Sequence, residues 1–330
     1  MLTENRSHAL HREPATPHAA WRLPVAEPPL HLVFNRGSGD APDQALQALI
    51  VEIGVPDRRR LCWHPSTGDR IGATAAHAAQ AARADGGVVV AIGGDGTVSA
   101  VAHEAVAHGV PMAVLPSGTF NLFARAQGIP LDPLQAARAL LSRQVRRVAV
   151  GRAGDRVFVV SASLGLHPDL IDAREQDTQR FGRGRGVAWL SGLARLWRLR
   201  RRLALHCHID DQPRRLDVST VLVSNNPVQL AALGAAVPGQ PGDDLDALRV
   251  LVMPPLSGSA WLPVMWRALR GQLREAPGVQ AYGLRAGTLF RRGRQSMRLA
   301  LDGEVRRIRG PLDLRFEPAA LQLLVPRTAP

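Results

Sequence analysis

The chain has 330 residues, 45% of them hydrophobic and 4% aromatic, with a formal net charge of +13. That length suggests two domains or one large one, with room for real cores, and the composition is that of a soluble globular protein. The positive charge is carried by arginine without a single lysine, which excludes a Walker-type loop, because that loop needs a lysine on the phosphates.

Coding bias explains Arg in place of Lys but not the excess of base over acid. That excess favours acidic partners: anionic lipid surfaces, nucleotides or nucleic acid, without choosing among them. Only two cysteines occur, Cys62 and Cys207. They imply no disulfide framework and fit a reducing cytoplasm. Met1 to Pro29 is rich in His, Pro, Ala and Arg without an apolar period. It reads as a disordered tail that lacks the apolar h-region of a signal peptide. No run approaches the ~18 apolar residues of a membrane span.

From Leu30 the pattern is strand, Gly-rich turn, helix, repeated. Leu30 to Phe34 predicts a strand, Asn35 to Gly39 a turn and Ala41 to Ile53 a helix. Arg60 to Trp63 predicts a strand and Ile71 to Ala84 a small-residue helix. Val88 to Ile92 is a continuous apolar run, as in a strand buried on both faces. Val98 to His108 predicts a helix, Pro111 to Leu115 a strand and Phe120 to Gln127 a helix. This alternation predicts an α/β fold with a mostly parallel sheet between helices, a three-layer domain over residues 30–144.

After about Val145 the character changes. Strands are predicted at Val145–Val150, Val157–Ala162, Leu203–Ile209, Leu216–Ser224 and Leu248–Met253. More follow at Tyr282–Phe290, Ser296–Leu301, Val305–Ile308 and Leu312–Phe316, with helical insertions at Gly186–Leu199 and Ala260–Leu273. Many strands with turn signals between them predict a C-terminal β-sandwich-like domain over residues 145–330. Its last run, Leu321 to Val325, has the length to return to the first domain.

Three loops sit where a strand hands over to a helix. In Gly93-Gly94-Asp95-Gly96-Thr97 the glycines allow close backbone approach, and the following helix offers free N–H groups and the positive end of its dipole. Such a loop suits a phosphate, yet Asp95 is itself an anion. A cation or a hydroxyl must separate the two, unless the loop is simply a capped turn. Pro116-Ser117-Gly118-Thr119-Phe120-Asn121 and Asn35-Arg36-Gly37-Ser38-Gly39 repeat the theme. Three such loops at successive strand ends would line one crevice, where open α/β sheets bind ligands.

The pair Gly93–Thr97 and Leu115–Asn121, about twenty residues apart, resembles the diacylglycerol kinase catalytic-domain family, in a larger group with sphingosine kinases and NAD kinases. "FNRGSG" resembles the family's Asn-Pro-x-Ser-Gly turn, with Arg36 where Pro is usual. "SASLGLHPDLIDARE" from Ser161, "VLVSNNP" from Val221 and "LALDGEV" from Leu299 resemble later stretches of it. The first motif is shared with NAD kinases; its pairing with the second is more specific to lipid kinases. The resemblance implies Mg²⁺-ATP as phosphoryl donor and a lipid hydroxyl as acceptor. Diacylglycerol is the default acceptor, and a sphingoid base or another lipid alcohol is the alternative. By the same resemblance Asn35, Ser38, Gly39, Thr67, Gly93, Gly94, Asp95, Gly96, Thr97, Gly118, Thr119 and Asn121 would hold the nucleotide. Asp95 would also serve the chemistry, and Asp302 or Glu304 would take the acceptor proton, Glu304 slightly favoured. Read alone, "LDGEV" is a hairpin turn. Many bacterial members carry Leu-Asp-Asp-Gly for a second Mg²⁺. Here "PGDDLDALRVLV" keeps Asp243 and Asp246 as candidate metal ligands but lacks the Gly.

Arg180 to Leu205 is the most basic stretch, and Trp189, Leu193, Leu196 and Trp197 can share one helical side. Such a helix would suit an anionic membrane surface, and a core-packed helix is the plain alternative. The expected location is cytoplasmic, peripheral to the inner face of the membrane; a homodimer stays open. His206-Cys207-His208 and Cys62 with His64 lack a second pair at zinc spacing. No nucleic-acid motif is present, and few aromatics are available for base stacking. An NAD-kinase-like enzyme and a non-catalytic lipid- or nucleotide-binding regulator are the alternative readings.

Overall fold

The computed structural model describes residues 28–35, 41–53, 61–141, 144–165, 203–209, 212–232, 234, 246–255, 260–291 and 296–326. Four parallel strands come first: β1 (Leu30–Asn35), β2 (Leu61–Ser66), β3 (Val88–Gly93) and β4 (Met112–Pro116), in the spatial order β2-β1-β3-β4. Between and after them run α1 (Ala41–Ile53), α2 (Ile71–Asp85), α3 (Asp95–His108), α4 (Leu122–Ala126) and α5 (Pro133–Leu141). Successive strand residues point to opposite faces, and both faces are covered. Val89 and Ala91 meet α2 and α3 through Ala78, Ala82, Val101 and Ala105. Val88, Val90 and Ile92 meet α1 and α5 through Leu46, Leu49, Ala137 and Leu140. That is why β3 carries no polar residue and is buried at every position.

The second part is antiparallel. Its strands are β5 (Gln144–Ala153), β6 (Arg156–Phe158), β7 (Ser161–Gly165), β8 (Leu203–Ile209), β9 (Gln212–Val218) and β10 (Thr220–Ser224). After α6 (Pro227–Ala232) come β11 (Leu248–Met253), α7 (Trp261–Leu269), β12 (Gln280–Leu284) and β13 (Ala286–Phe290). β14 (Ser296–Leu301), β15 (Glu304–Arg309) and β16 (Leu312–Val325) end the order. One sheet runs β12-β11-β10-β7-β14-β15. It faces β8, β13 and β16 across a core that includes Leu164, Leu205, Val221, Leu248, Leu289, Leu299 and Leu314. The fold is thus a mostly parallel α/β layer followed by an antiparallel sandwich. The halves share one sheet, because β16 pairs with β13 at its start and runs parallel to β4 near its end.

Several boundaries differ from those the sequence predicts, each for a local reason. α3 starts three residues earlier, with Gly94 in extended conformation as its N-cap, so Asp95, Gly96 and Thr97 are its first turn. α4 is shorter because Asn121 takes a left-handed conformation, φ 50°. The run Val157–Ala162 is broken at Val159 and Val160, whose amides bond the Asp302 carboxylate. Leu312–Phe316 and Leu321–Val325 are one strand with a register shift between Glu317 and Leu321, where Ala319 has φ 54°. α5, α6 and a 3₁₀ turn at Gly68–Arg70 lack a sequence prediction. Residues 1–27 of the expected tail, the helix expected over Gly186–Leu199 with Trp189 and Trp197, and Ser38, Gly39 and Asp243 lie outside the described residues.

Candidate active site

The register of the parallel sheet brings the loops together. Asn35 is level with Ser66, and Gly93 with Pro116. Asn35, Thr67, Gly94–Thr97 and Ser117–Asn121 therefore lie at the same carboxyl edge of the sheet. Thr67 is exposed and extended, with no side-chain cap bond to the turn behind it.

The two glycine loops touch backbone to backbone. The Ser117 amide donates to the Gly93 carbonyl at 3.0 Å. A Cβ on Gly118 would strike the Gly94 Cα, and a Cβ on Gly94 would come within 3.2 Å of the Gly118 Cα. The approach requires glycine at Gly118 and leaves little room for a side chain at Gly94. Gly93 is tight for another reason: its Cβ would lie 2.6 Å from Thr97 Oγ1, so the Thr97 side chain leans back on the strand. Gly96 is the exception, since a Cβ there would meet nothing within 4 Å. No packing inside the protein demands glycine at this position of the first helical turn.

Asn121 closes its own loop. Its Oδ1 accepts from the Gly118 amide at 3.0 Å, and its Nδ2 donates to the Gly118 carbonyl at 2.8 Å. With Asn121 spent on the loop, α4 takes its cap from elsewhere. Asp95 Oδ1 accepts from the Phe123 amide at 3.3 Å. Burial pushes the Asp95 carboxyl up, while the amides of Phe123, Leu122 and Asn121 pull it down. The carboxylate among the glycines thus has amide partners from the next loop. The first turn of α3 has no side-chain cap. The Ser117 hydroxyl, absent from the sequence expectations, is buried without a hydrogen-bond partner among the described residues. Thr119 and Phe120 are exposed.

The hairpin β14–β15 docks on this assembly through Asp302, which is buried in a left-handed turn conformation, φ 46°. Asp302 Oδ1 accepts from the amides of Val160 and Ser161, each at 2.8 Å. Its Oδ2 accepts from Val159 at 2.9 Å and from Ser99 Oγ at 2.6 Å. Burial raises the Asp302 carboxyl, against the pull of Ser99 and the three amides. Ser99 lies one helical turn along α3 from Asp95. Glu304 is different: its side chain is 47% exposed and pairs with Arg306 at 2.8 Å.

A second clamp comes from the paired asparagines. Asn226 Nδ2 donates to the Leu122 carbonyl at 3.0 Å, and Asn226 Oδ1 accepts from the Gln229 amide, capping α6. Asn225 Nδ2 donates to the Ala149 carbonyl at 2.9 Å. The sequence did not point to Ser99, and it marked the asparagines only through the resemblance of "VLVSNNP", with no role for them. For the asparagines the available signal was two amides closing an apolar strand, Val221–Ser224.

Among the described residues no group of three or more His, Cys, Asp or Glu is placed to hold a metal ion. Asp246 lies 3.6 Å from Arg249 and 3.9 Å from Arg285. Two guanidinium groups there do not fit a bound cation. No helix among the described residues is long and apolar enough to cross a membrane.

Residues 29–153 match the model of the diacylglycerol kinase catalytic domain. A "Probable lipid kinase YegS-like" protein of Pseudomonas aeruginosa is 34% identical over 169 residues, 50% of this chain and 53% of that protein. One of the same name from Chromohalobacter salexigens is 30% identical over 171 residues, with the same shares. The chain thus spans about half the length of the curated relatives it matches. The crystal structure of a diacylglycerol kinase from Bacillus anthracis superposes with a TM-score of 0.62 at 14% identity, covering 91% of this chain and 97% of that one. At that identity the likeness speaks for the fold. On the sequence match and the loops described above, residues 29–153 of this chain are similar to the diacylglycerol kinase catalytic domain.

Proposed function

We propose that the chain is an ATP-dependent lipid kinase that transfers the γ-phosphoryl group of ATP to a lipid hydroxyl, diacylglycerol first among the acceptors and giving phosphatidic acid. The observation that carries this reading is the docking of the Asp302–Glu304 hairpin on α3, the helix that begins inside the glycine loop. It ties the hairpin that carries the half-exposed Glu304 to the helix whose start suits a phosphate.

The residues present fit a nucleotide. The uncapped first turn of α3 and the open side of Gly96 form an edge with donors and space for phosphate oxygens. Asn35, Thr67, Thr119, Ser38 and Gly39 are proposed to complete it. Gly93, Gly94, Gly118, Thr97, Asn121 and Asp95 hold the two loops in register. In this reading Mg²⁺ would accompany the ATP phosphates and would supply charge neutralisation for the transfer. A second Mg²⁺ on Asp243 and Asp246 is not part of the proposal, given the arginines at Asp246.

In the transfer, the acceptor hydroxyl oxygen forms a bond to the γ-phosphorus as the bond to the ADP oxygen breaks, and the hydroxyl proton needs a base. All four acceptor positions used on Asp302 are taken by Ser99, Val159, Val160 and Ser161. Glu304 is therefore proposed as the base and Asp302 as its positioning residue. Access to an acceptor buried in a bilayer implies peripheral association with an anionic inner membrane surface, for which Trp189, Trp197 and their arginines are one candidate. A homodimer is compatible with this reading and not required by it.

The test is transfer of labelled phosphate from Mg²⁺-ATP to a lipid panel in mixed micelles, with NAD in a parallel reaction. Label in a lipid, lost in Asp95→Ala and Glu304→Ala, is the expected result. Label in NADP alone would sink the proposal. Binding of ATP or lipid without transfer would identify a regulator instead.

A further inference from the structure

α7 has two unlike sides. Val264 is buried in a small core with Leu222, Leu230, Leu251, Leu273 and Ala276, on the outer face of the antiparallel sheet. On the opposite side Leu262 is 52% exposed and Trp266 57% exposed. These two are four residues apart and so lie in line along the helix. Arg270 continues the line just past the helix end, its guanidinium carbon 4.3 Å from the centre of the Trp266 ring. Arg267 stands in the last turn, half-buried beside them. An exposed Leu and Trp with arginines at the rim has no evident use in water.

We propose that this face of α7 is the surface by which the protein docks on an anionic lipid bilayer. Tryptophan favours the headgroup level, where its ring is buried and its N–H stays wet, and leucine adds apolar depth. Arginine on the Trp266 ring keeps its charge available to lipid phosphates while its planar side covers apolar surface. The net charge of +13 draws the whole chain toward such a surface. A second copy of the chain fits less well. A two-fold contact would set Arg267 and Arg270 against their own copies. Two exposed apolar side chains also fall far short of the roughly 800 Å² per partner of a stable interface.

The docking face is held rigidly to the candidate site. A Cβ on Gly234, past α6, would strike the Gly271 carbonyl past α7, so these two chain segments touch directly. The Arg274 amide also donates to the Gly234 carbonyl at 3.2 Å. α6 is in turn capped by Asn226, which reaches the first residue of α4. A bilayer bound at Trp266 would therefore meet the Ser117–Asn121 loop in a fixed orientation. The inference rests on the lipid-kinase reading only for the purpose of docking; binding itself is measured without ATP, so the two can fail separately.

The experiment is co-sedimentation of the full chain with vesicles of phosphatidylcholine alone and with phosphatidylglycerol added. Binding is expected with phosphatidylglycerol only and to weaken with salt. Leu262→Ser with Trp266→Ser is expected to weaken it about tenfold, and Arg270→Glu to weaken it most at low salt. Because the sites are exposed, thermal melting should not move in either variant. The proposal is overturned if both variants bind as the parent does, if pure phosphatidylcholine binds equally well, or if the apolar substitutions instead convert a dimer to a monomer.

Discussion

Asp302→Asn and Glu304→Gln separate two carboxylates that stand two residues apart. Asparagine matches aspartate in size and tolerates the left-handed backbone at position 302, so the change is chiefly one of charge. The new side chain has one acceptor oxygen, which can still serve Val160 and Ser161. Its NH₂ then faces the Val159 amide, 2.9 Å from the present Oδ2, and the Ser99 hydroxyl at 2.6 Å. The hydroxyl can turn to accept, but the Val159 amide is left facing a donor. An orphaned buried amide costs about 1–3 kcal/mol, and the surviving bonds lose the extra strength of a charged acceptor. Removing the charge also lifts part of its burial penalty, the effect that raises the Asp302 carboxyl. The balance is a loss of roughly 2–3 kcal/mol. Ser99→Ala removes one charged hydrogen bond and should cost about 1.5–3 kcal/mol. Glu304→Gln loses only an exposed pair with Arg306, worth about 0–1 kcal/mol, but its kcat should fall about 10²–10⁴-fold. Urea unfolding and phosphoryl transfer to diacylglycerol, measured on the same preparations, read both quantities. The reasoning is refuted if Asp302→Asn unfolds with the parent, or if Glu304→Gln turns over normally.

Two further expectations use the glycine loops and a histidine. Gly96→Ala should leave stability unchanged or slightly raised, since the site is open and alanine favours a helix by ~1 kcal/mol. Gly118→Ala must push Gly94 away and should cost about 1–3 kcal/mol; equal melting of the two variants would contradict the backbone contact. If the open space beside Gly96 is where the nucleotide sits, the KM for ATP should rise at Gly96→Ala; an unchanged KM would remove Gly96 from the nucleotide site. His64 is held below its ordinary value near 6.5, first by burial and then by His31 and His77. The neutral ring is thus favoured in the fold. Its contribution is present above pH ~6.5 and is lost as pH falls through the lower folded value. Melting temperature should drop between neutral and mildly acid pH, and His64→Gln should flatten that drop; a parallel slope in the variant would rule His64 out as a source.

Local features were legible in the chain and long-range ones were not. β3 announces itself as an apolar run, and α2 by alanines at helical spacing that become its contact with α3. The start of α3 reads late because Gly96 and Thr97 weaken the helical pattern, although Gly94 and Asp95 are ordinary for a helix N-terminus. The break in the strand at Val159 and Val160 has no local cause at all. Its reason is a carboxylate more than 140 residues away in sequence. Ser99 leaves no periodic trace either, being one small polar residue on a helix. Asp95 and Asp302 look alike from sequence, each an acid beside glycine in a turn. In the fold both are met by backbone amides, Asp95 where α4 begins and Asp302 where β6 gives way to β7. A buried carboxylate can persist only where such donors converge. The acids that hold the loops together already spend their oxygens on these donors, which is why the proposed base is Glu304, half-exposed and paired with Arg306.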